Sequence, residues 1–337
     1  MDDPREKDVV IPMPDPRRAR CSVSDSMTLQ DWCRGGGVDD LVHGAAEGSL
    51  ARVETALNDG IPVDARSWQG HTALVAAAAH RRFAVVEHLL RRGADPSAAA
   101  VCMPGHFRDT DLGAAIARNP ESAFGMGQLV RILQIDRPLH QAAVNGDSDI
   151  VDLLLDAGAG VNDLVTGRLT PLMLASMWGH EAVVNRLLAR GANVHLFADA
   201  RGPLQAGAFP GSTHGFTALA FASMHQRIRI VHELVVSGAP VDPILAMGAR
   251  PLHVAALNGH VVMADLLIEL GACVDAKMTG LRSSTPLMLA AASGHKPVVK
   301  LLLKKGARRD LVDDRGCSAS SFAESGGHPA LAFELAS

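Results

Sequence analysis

Fifteen histidines in a chain of 337 residues raise the question of metal or proton chemistry, because a neutral imidazole can ligate a cation or carry a proton near neutral pH. Their spacing builds neither site. His180-Glu181 runs on to Val183 and Val184, so the helical pattern His-Glu-x-x-His that would bind zinc is not completed. There is no G-x-S-x-G serine elbow, no G-x-x-x-x-G-K-[ST] phosphate loop and no G-x-G-x-x-G turn between a strand and a helix; Gly125-Met126-Gly127 stands without that context. The cysteines Cys21, Cys33, Cys102, Cys273 and Cys317 are odd in number and widely spaced, which signals neither a disulfide framework nor a zinc module. Cys102 has no base placed beside it by any motif, so thiol catalysis is not expected. The expectation is a non-enzyme with no cofactor, no metal and no catalytic residue.

Charge narrows the partners. Lys+Arg 32 against Asp+Glu 36 leaves a formal charge of -4, which disfavours a polybasic nucleic-acid binder. Lys300, Lys304, Lys305, Arg308 and Arg309 form the one basic cluster, but Lys304 and Lys305 complement a helix C-terminus and Asp310, Asp313 and Asp314 follow at once. No stacking platform accompanies it. Residues Thr72–Ala79 and Pro286–Ala292 are the longest apolar stretches, far short of the roughly 18 residues of a spanning helix, so no membrane insertion is expected. The N-terminus has no apolar run behind a positive start, which points to the cytosol with the nucleus open. Tyr is absent and Trp (3) and Phe (9) are few, so a core must rest on aliphatic and Ala side chains.

The elements that would position any site come from a repeat. Gly-Ala or a near relative recurs at Gly60, Gly93, Gly158, Gly191, Gly238, Gly271 and Gly306, at intervals of 33, 65, 33, 47, 33 and 35 residues. Each of several segments opens with a helix start at Thr72, Thr170, Thr217 or Thr285, and Pro171 and Pro286 fall at the first helical position. Arg137-Pro138 and Arg250-Pro251 occupy the same place; arginine cannot accept the capping bond, so these helices should lack about 1 kcal/mol unless another group satisfies the N–H donors. A second helix follows with apolar residues such as Val183, Val184, Leu187 and Leu188 on one face, and the glycine then ends it. One such hairpin cannot bury both apolar faces, so neighbours must stack and share a core.

These segments, RPLHQAAVNG (137–146), TPLMLASMWGH (170–180), RPLHVAALNGH (250–260) and TPLMLAAASGH (285–295), closely resemble the T-P-L-H-x-A motif of the ankyrin repeat family. The resemblance implies an all-α fold, a solenoid of stacked helix hairpins joined by extended, β-hairpin-like turns. Clear units are expected at 68–97, 137–162, 166–197, 215–243, 248–276 and 283–311, with a degenerate unit at 40–64 and a C-terminal cap at 313–335, all within one solenoid over 39–337. Residues 1–38 read as a flexible tail and 198–214 as a loop insertion. The segment 98–136 reads either as a degraded unit or as an irregular loop. In the family, histidines at the fourth place of the first helix (His43, His140, His253) and after its terminal glycine (His180, His260, His295, His328) are structural, and their titration should weaken the stack near pH 6.

The resemblance also implies a protein or peptide partner, bound by a monomer through a concave groove of turn tips and first-helix ends. Carried onto this chain, that surface comprises Trp68, Leu169, Met177, Trp178, Phe216, Met224, His225, Leu257 and Asn258. Its centre is apolar, with Trp178 between methionines as an anchor. Two readings stay open there: a partner covers the patch, or the 198–214 loop does. A structural spacer between other components, and an adaptor that recruits a partner to other machinery, are the alternative functions.

Overall fold

The threonine hydroxyls predicted to start helices do so. Thr72, Thr170, Thr217 and Thr285 each accept the N–H three residues on, at 3.2–3.4 Å. In this computed structural model the described residues are 37–67, 70–100, 137–165, 168–198, 216–245, 248–279 and 283–336. They form eight helical hairpins in chain order: α1 (Val38–Glu47) with α2 (Leu50–Asn58), α3 (Ala73–Ala79) with α4 (Phe83–Arg91), α5 (Pro138–Asn145) with α6 (Ser148–Asp156), and α7 (Pro171–Trp178) with α8 (Glu181–Ala189). After the strands β1 (Phe197–Ala198) and β2 (Phe216–Thr217) come α9 (Ala218–Met224) with α10 (Ile228–Val236) and α11 (Pro251–Leu257) with α12 (Val261–Glu269). The last two hairpins are α13 (Pro286–Ala292) with α14 (Lys296–Lys304) and α15 (Ala319–Ser325) with α16 (Pro329–Ala336).

First helices pack on first helices, each unit against the next, and second helices pack on second helices between most neighbouring units. The first helices are Ala-rich and buried nearly all round, which lets their backbones approach closely. The second helices bury one stripe, as in Val183, Val184 and Leu187 of α8, or Ile230, Val231 and Leu234 of α10. Together these side chains form one continuous apolar cluster running from Leu41 to Leu335. Each fully buried aliphatic side chain contributes about 1.5–3 kcal/mol against the entropy of ordering so many short helices.

Turns join the units as extended ladders one or two pairs long: Arg66 bridges Thr72, Val165 bridges Leu169 and Val312 bridges Ser318, while β1 pairs with β2 in antiparallel register, Phe197 opposite Thr217. The turns are also tied to one another. The Asp or Asn four residues after a unit's closing glycine accepts the backbone N–H two residues after the next one: Asp64 from Asp95 (3.1 Å), Asn162 from Asn193 (2.8 Å), Asp242 from Cys273 (2.8 Å) and Asp275 from Arg308 (3.0 Å). Between the fourth and fifth hairpins the positions hold His195 and Pro240, and proline has no N–H to give.

The arginines that cannot cap are used differently. Arg137 reaches from the start of α5 to the Ser97 carbonyl (3.0 Å) and the Asp163 carboxylate (2.8 Å). Arg250 donates from its guanidinium to the Asp242 carbonyl (2.9 Å), and its own backbone N–H finds Nδ1 of His253 (3.2 Å). The α3–α4 hairpin packs on α5–α6, with the Asn145 amide donating to the carbonyls of Ala78 (3.1 Å) and Ala79 (2.9 Å). Residues 101–136, the bulk of the proposed degraded unit, lie outside the described residues, as do the tail through residue 36 and the insertion from 199 to 215.

Candidate functional site

Two recurring kinds of side chain hold the first helices in place, and they account for His140, His180, His253 and His295. The buried His140 shares its Nε2 proton between the carbonyls of Asp163 (3.0 Å) and Leu169 (3.2 Å), and His253 donates from Nε2 to Ser284 (3.1 Å). Burial lowers the pKa of each to about 4, against the opposing pull of those carbonyls, with the nearby Arg137 or Arg250 lowering it further. His43, expected in the same role, is exposed.

The second set reaches across units to the carbonyls left over at the end of the preceding first helix. His180 donates to Val144 (2.7 Å) and His295 to Leu257 (3.0 Å). The imidazole of His295 then lies flat against Gly259, whose φ of +74° and lack of a side chain both matter: a Cβ there would stand 2.7 Å from the ring. Sequence reading missed two members of this set because they are arginines. Arg82 donates from Nε to Ala46 (2.9 Å) and Arg227 from Nε to Met177 (3.4 Å), each ten residues after its capping threonine, where His180 and His295 stand in their own units. The position was visible in the spacing; the interchange of histidine and arginine as N–H donors was the missing signal. His260 stands at this position in its own unit, yet its Nδ1 is buried without a partner, and burial followed by the neighbouring His295 lowers its pKa.

With these residues accounted for, the expected binding surface can be placed. Trp68 lies outside the described residues, together with the neighbouring turn positions Gln69, Met247 and Arg282. Leu169 and Met177 were expected on the exposed ridge and are not there: they are 2% and 1% exposed and belong to the core. Leu169 is drawn in because the Val165–Leu169 ladder and the bond from His140 turn its side chain inward. Met177 is drawn in because the closely packed first helices bury α7 from Pro171 through Met177.

The other residues lie at the ends of first helices, or in the turn before one, in three consecutive units. Trp178, at the end of α7, packs its ring against the core, and its indole N–H is enclosed with no acceptor. In the next unit Phe216 is half-buried on β2, its ring 5.5 Å from that of Phe221, and Met224 and His225 at the end of α9 are half-buried. Burial and then the Arg227 charge lower the pKa of His225. Leu257, 46% exposed, and Asn258 end α11 in the unit after that. Arg168 adds an exposed charge to this side of the molecule: it holds φ +59° at the turn tip, the left-handed place filled by Gly70 and Gly248 in other units.

What this arrangement can do is bind by shape and apolar contact. Among the described residues no group of three or more His, Cys, Asp or Glu side chains could hold a metal ion, and no helix is long and apolar enough to cross a membrane.

Comparisons with known proteins agree with the architecture. A family model described as ankyrin repeats in three copies matches residues 123–198 and 204–278, and the single ankyrin repeat model matches 69–100 and 283–314, together well over half of the chain. Probable E3 ubiquitin-protein ligase XBOS32 of Oryza sativa subsp. japonica is 32% identical over 167 residues, 41% of this chain and 31% of that protein. Transient receptor potential cation channel subfamily A member 1 of Drosophila melanogaster is 26% identical over 180 residues, 42% of this chain and 14% of the channel. The chain thus spans a third or less of the length of these relatives. The crystal structure of the human ASB11 ankyrin repeat domain is similar in fold, with a TM-score of 0.52 and 21% identity over 88% of this chain and 96% of that one. On its repeat spacing, its stacked hairpins and these matches, the chain belongs to the ankyrin repeat family.

Proposed function

We propose that the chain is a binding scaffold that seats one protein partner against the first-helix ends and turns of its central units, with Trp178, Phe216, Met224 and Leu257 as the apolar centre and His225, Asn258 and Arg168 as the polar margin. Protein binding is the general role of the family's repeats. The observation that carries the finer reading is a local change in residue type. The position of Leu257 and Met224 is held by Ala79, Val144 and Ala292 in other units, and the position of Trp178 by Asn145, Asn258 and Ser293. Large apolar side chains therefore gather on three consecutive units and retain exposed surface there.

The burial of Met177 changes how this is tested, because truncating Met177 would damage the core along with the surface. Trp178→Ala alone, and Leu257→Asp at the more exposed position, are the informative substitutions. Trp178→Ala is expected to weaken an identified partner by about 2 kcal/mol or more with the far-UV circular dichroism unchanged. Equal affinity of the wild type and both variants would sink the assignment.

A second reading has support from the relatives. Several carry E3 ubiquitin-protein ligase in their names, among them XBAT33 and XBAT32 of Arabidopsis thaliana. On this reading the same face captures a protein destined for ubiquitylation, and ubiquitin-conjugating activity would copurify with the chain and its partner.

A further inference from the structure

The cross-unit donors ten residues after each helix start work only where the preceding hairpin leaves room for them. Arg82, His180, Arg227 and His295 reach the carbonyls of Ala46, Val144, Met177 and Leu257, and in each case the residue two places after that carbonyl is a glycine with positive φ: Gly48, Gly146, Gly179 and Gly259. The donor's ring or guanidinium lies flat on the glycine, so that a Cβ there would come closer than 3.0 Å to it. The glycine is needed for the neighbouring unit as well as for its own turn.

Two hairpins put a side chain in that place, Arg81 at φ +61° and Gln226 at φ +54°. Between the second and third hairpins the lost bond is replaced. Asp147, at the donor position, pairs with Arg81 itself at 2.6 Å, and the Asn145 amide takes the carbonyls of Ala78 and Ala79. Between the fifth and sixth hairpins nothing replaces it. Gln226 is exposed, His260 donates to no carbonyl of α9 and keeps its Nδ1 buried without a partner, and Asn258, at the place of Asn145, is exposed. Packing follows the bonds: among the described residues α9 and α11 share the least contact of any neighbouring pair of first helices, and α10 barely meets α12. The last two hairpins also hold their second helices apart, but there the first helices stay close, with the Gly326 backbone against the Ala292 carbonyl. The opposite end of the fifth–sixth junction is tied, because the Asp242 carboxylate accepts the Cys273 N–H at 2.8 Å and its carbonyl accepts from Arg250 at 2.9 Å.

We propose that the junction between the fifth and sixth hairpins is the hinge of the stack, at which hairpins one to five and six to eight part as two blocks about their tied turns, and that Gln226 makes it so by keeping His260 off the Met224 carbonyl. In a stack whose stability is a sum over units and nearest-neighbour interfaces, the weakest interface is where the chain divides. The hinge falls between Met224 and Leu257, inside the first-helix face. That its movement sets the separation of the two parts of that face rests on the function proposed above; the hinge itself does not.

Amide hydrogen exchange of the full chain over a series of urea concentrations, resolved by segment, tests this without any partner. Helices α1–α10 and α11–α16 should lose protection as two groups, with the boundary between α10 and α11. Gln226→Gly clears the place for the His260 ring and should slow exchange of the less protected group by roughly tenfold. The same substitution in a His260→Ala background relieves the positive φ equally but supplies no donor, so the gain should be absent there. Loss of protection in one concerted step, a boundary at another junction, or an equal gain in both backgrounds would overturn the proposal. Each of these results leaves the first-helix face untouched, so the hinge and the binding face fail separately.

Discussion

Lowering the pH from 7 to 4 should cost the folded chain about 3 kcal/mol at His140 and a similar amount at His253. Both side chains are held neutral in the fold, with pKa values lowered to about 4 chiefly by burial, whereas in the unfolded chain they titrate near the ordinary imidazole value of 6.5. The unfolded state therefore takes up protons as the pH drops below about 6.5, and the folded state does not until about 4. Stability is fully present above 6.5, is lost progressively between the two values, and levels off below 4. The physical reason is the same in both units. Nε2–H is committed to backbone carbonyls, and a second proton would put a charge on a ring that meets no carboxylate close enough to compensate for its desolvation. Urea denaturation at pH 7, 5.5 and 4 measures this directly. A His140→Asn variant, destabilised at pH 7, should show a shallower loss on acidification; an unchanged slope would mean that His140 is not the titrating group.

Leu187→Ala is expected to destabilise the chain by about 3–4 kcal/mol. Leu187 is fully buried in the stripe of α8, between the second helices of both neighbouring units, so truncation removes its transfer free energy and leaves a cavity that two flanking helices cannot both close. In a stack where each unit contacts only its neighbours, such a loss in a central unit weakens two interfaces at once. Urea unfolding followed by circular dichroism should show an earlier midpoint. A shift of less than about 1 kcal/mol would mean that Leu187 does not fill a core shared between units.

Much of this architecture was legible because each hairpin repeats a local signal. Threonine caps, prolines at the first helical position and closing glycines mark helix ends by local chemistry, and all four predicted threonine caps form. Side-chain direction was harder to read. Leu169 and Met177 occupy positions that the family exposes, but here the turn ladder and the close first-helix packing turn them inward, which depends on neighbours far away in sequence. The donors Arg82 and Arg227 were hidden for a different reason: the hydrogen bond requires an N–H at a given height, and a pattern written in residue letters does not show that guanidinium can replace imidazole.

The account rests on partner binding at the first-helix ends of the central units. Hydrogen–deuterium exchange of the full chain, alone and saturated with a captured partner, tests it most directly. Exchange should slow at the ends of α7, α9 and α11 and in the turn leading to Thr217, the segments that carry Trp178, His225, Asn258 and Phe216. Unchanged exchange in all of these segments at saturation would contradict it.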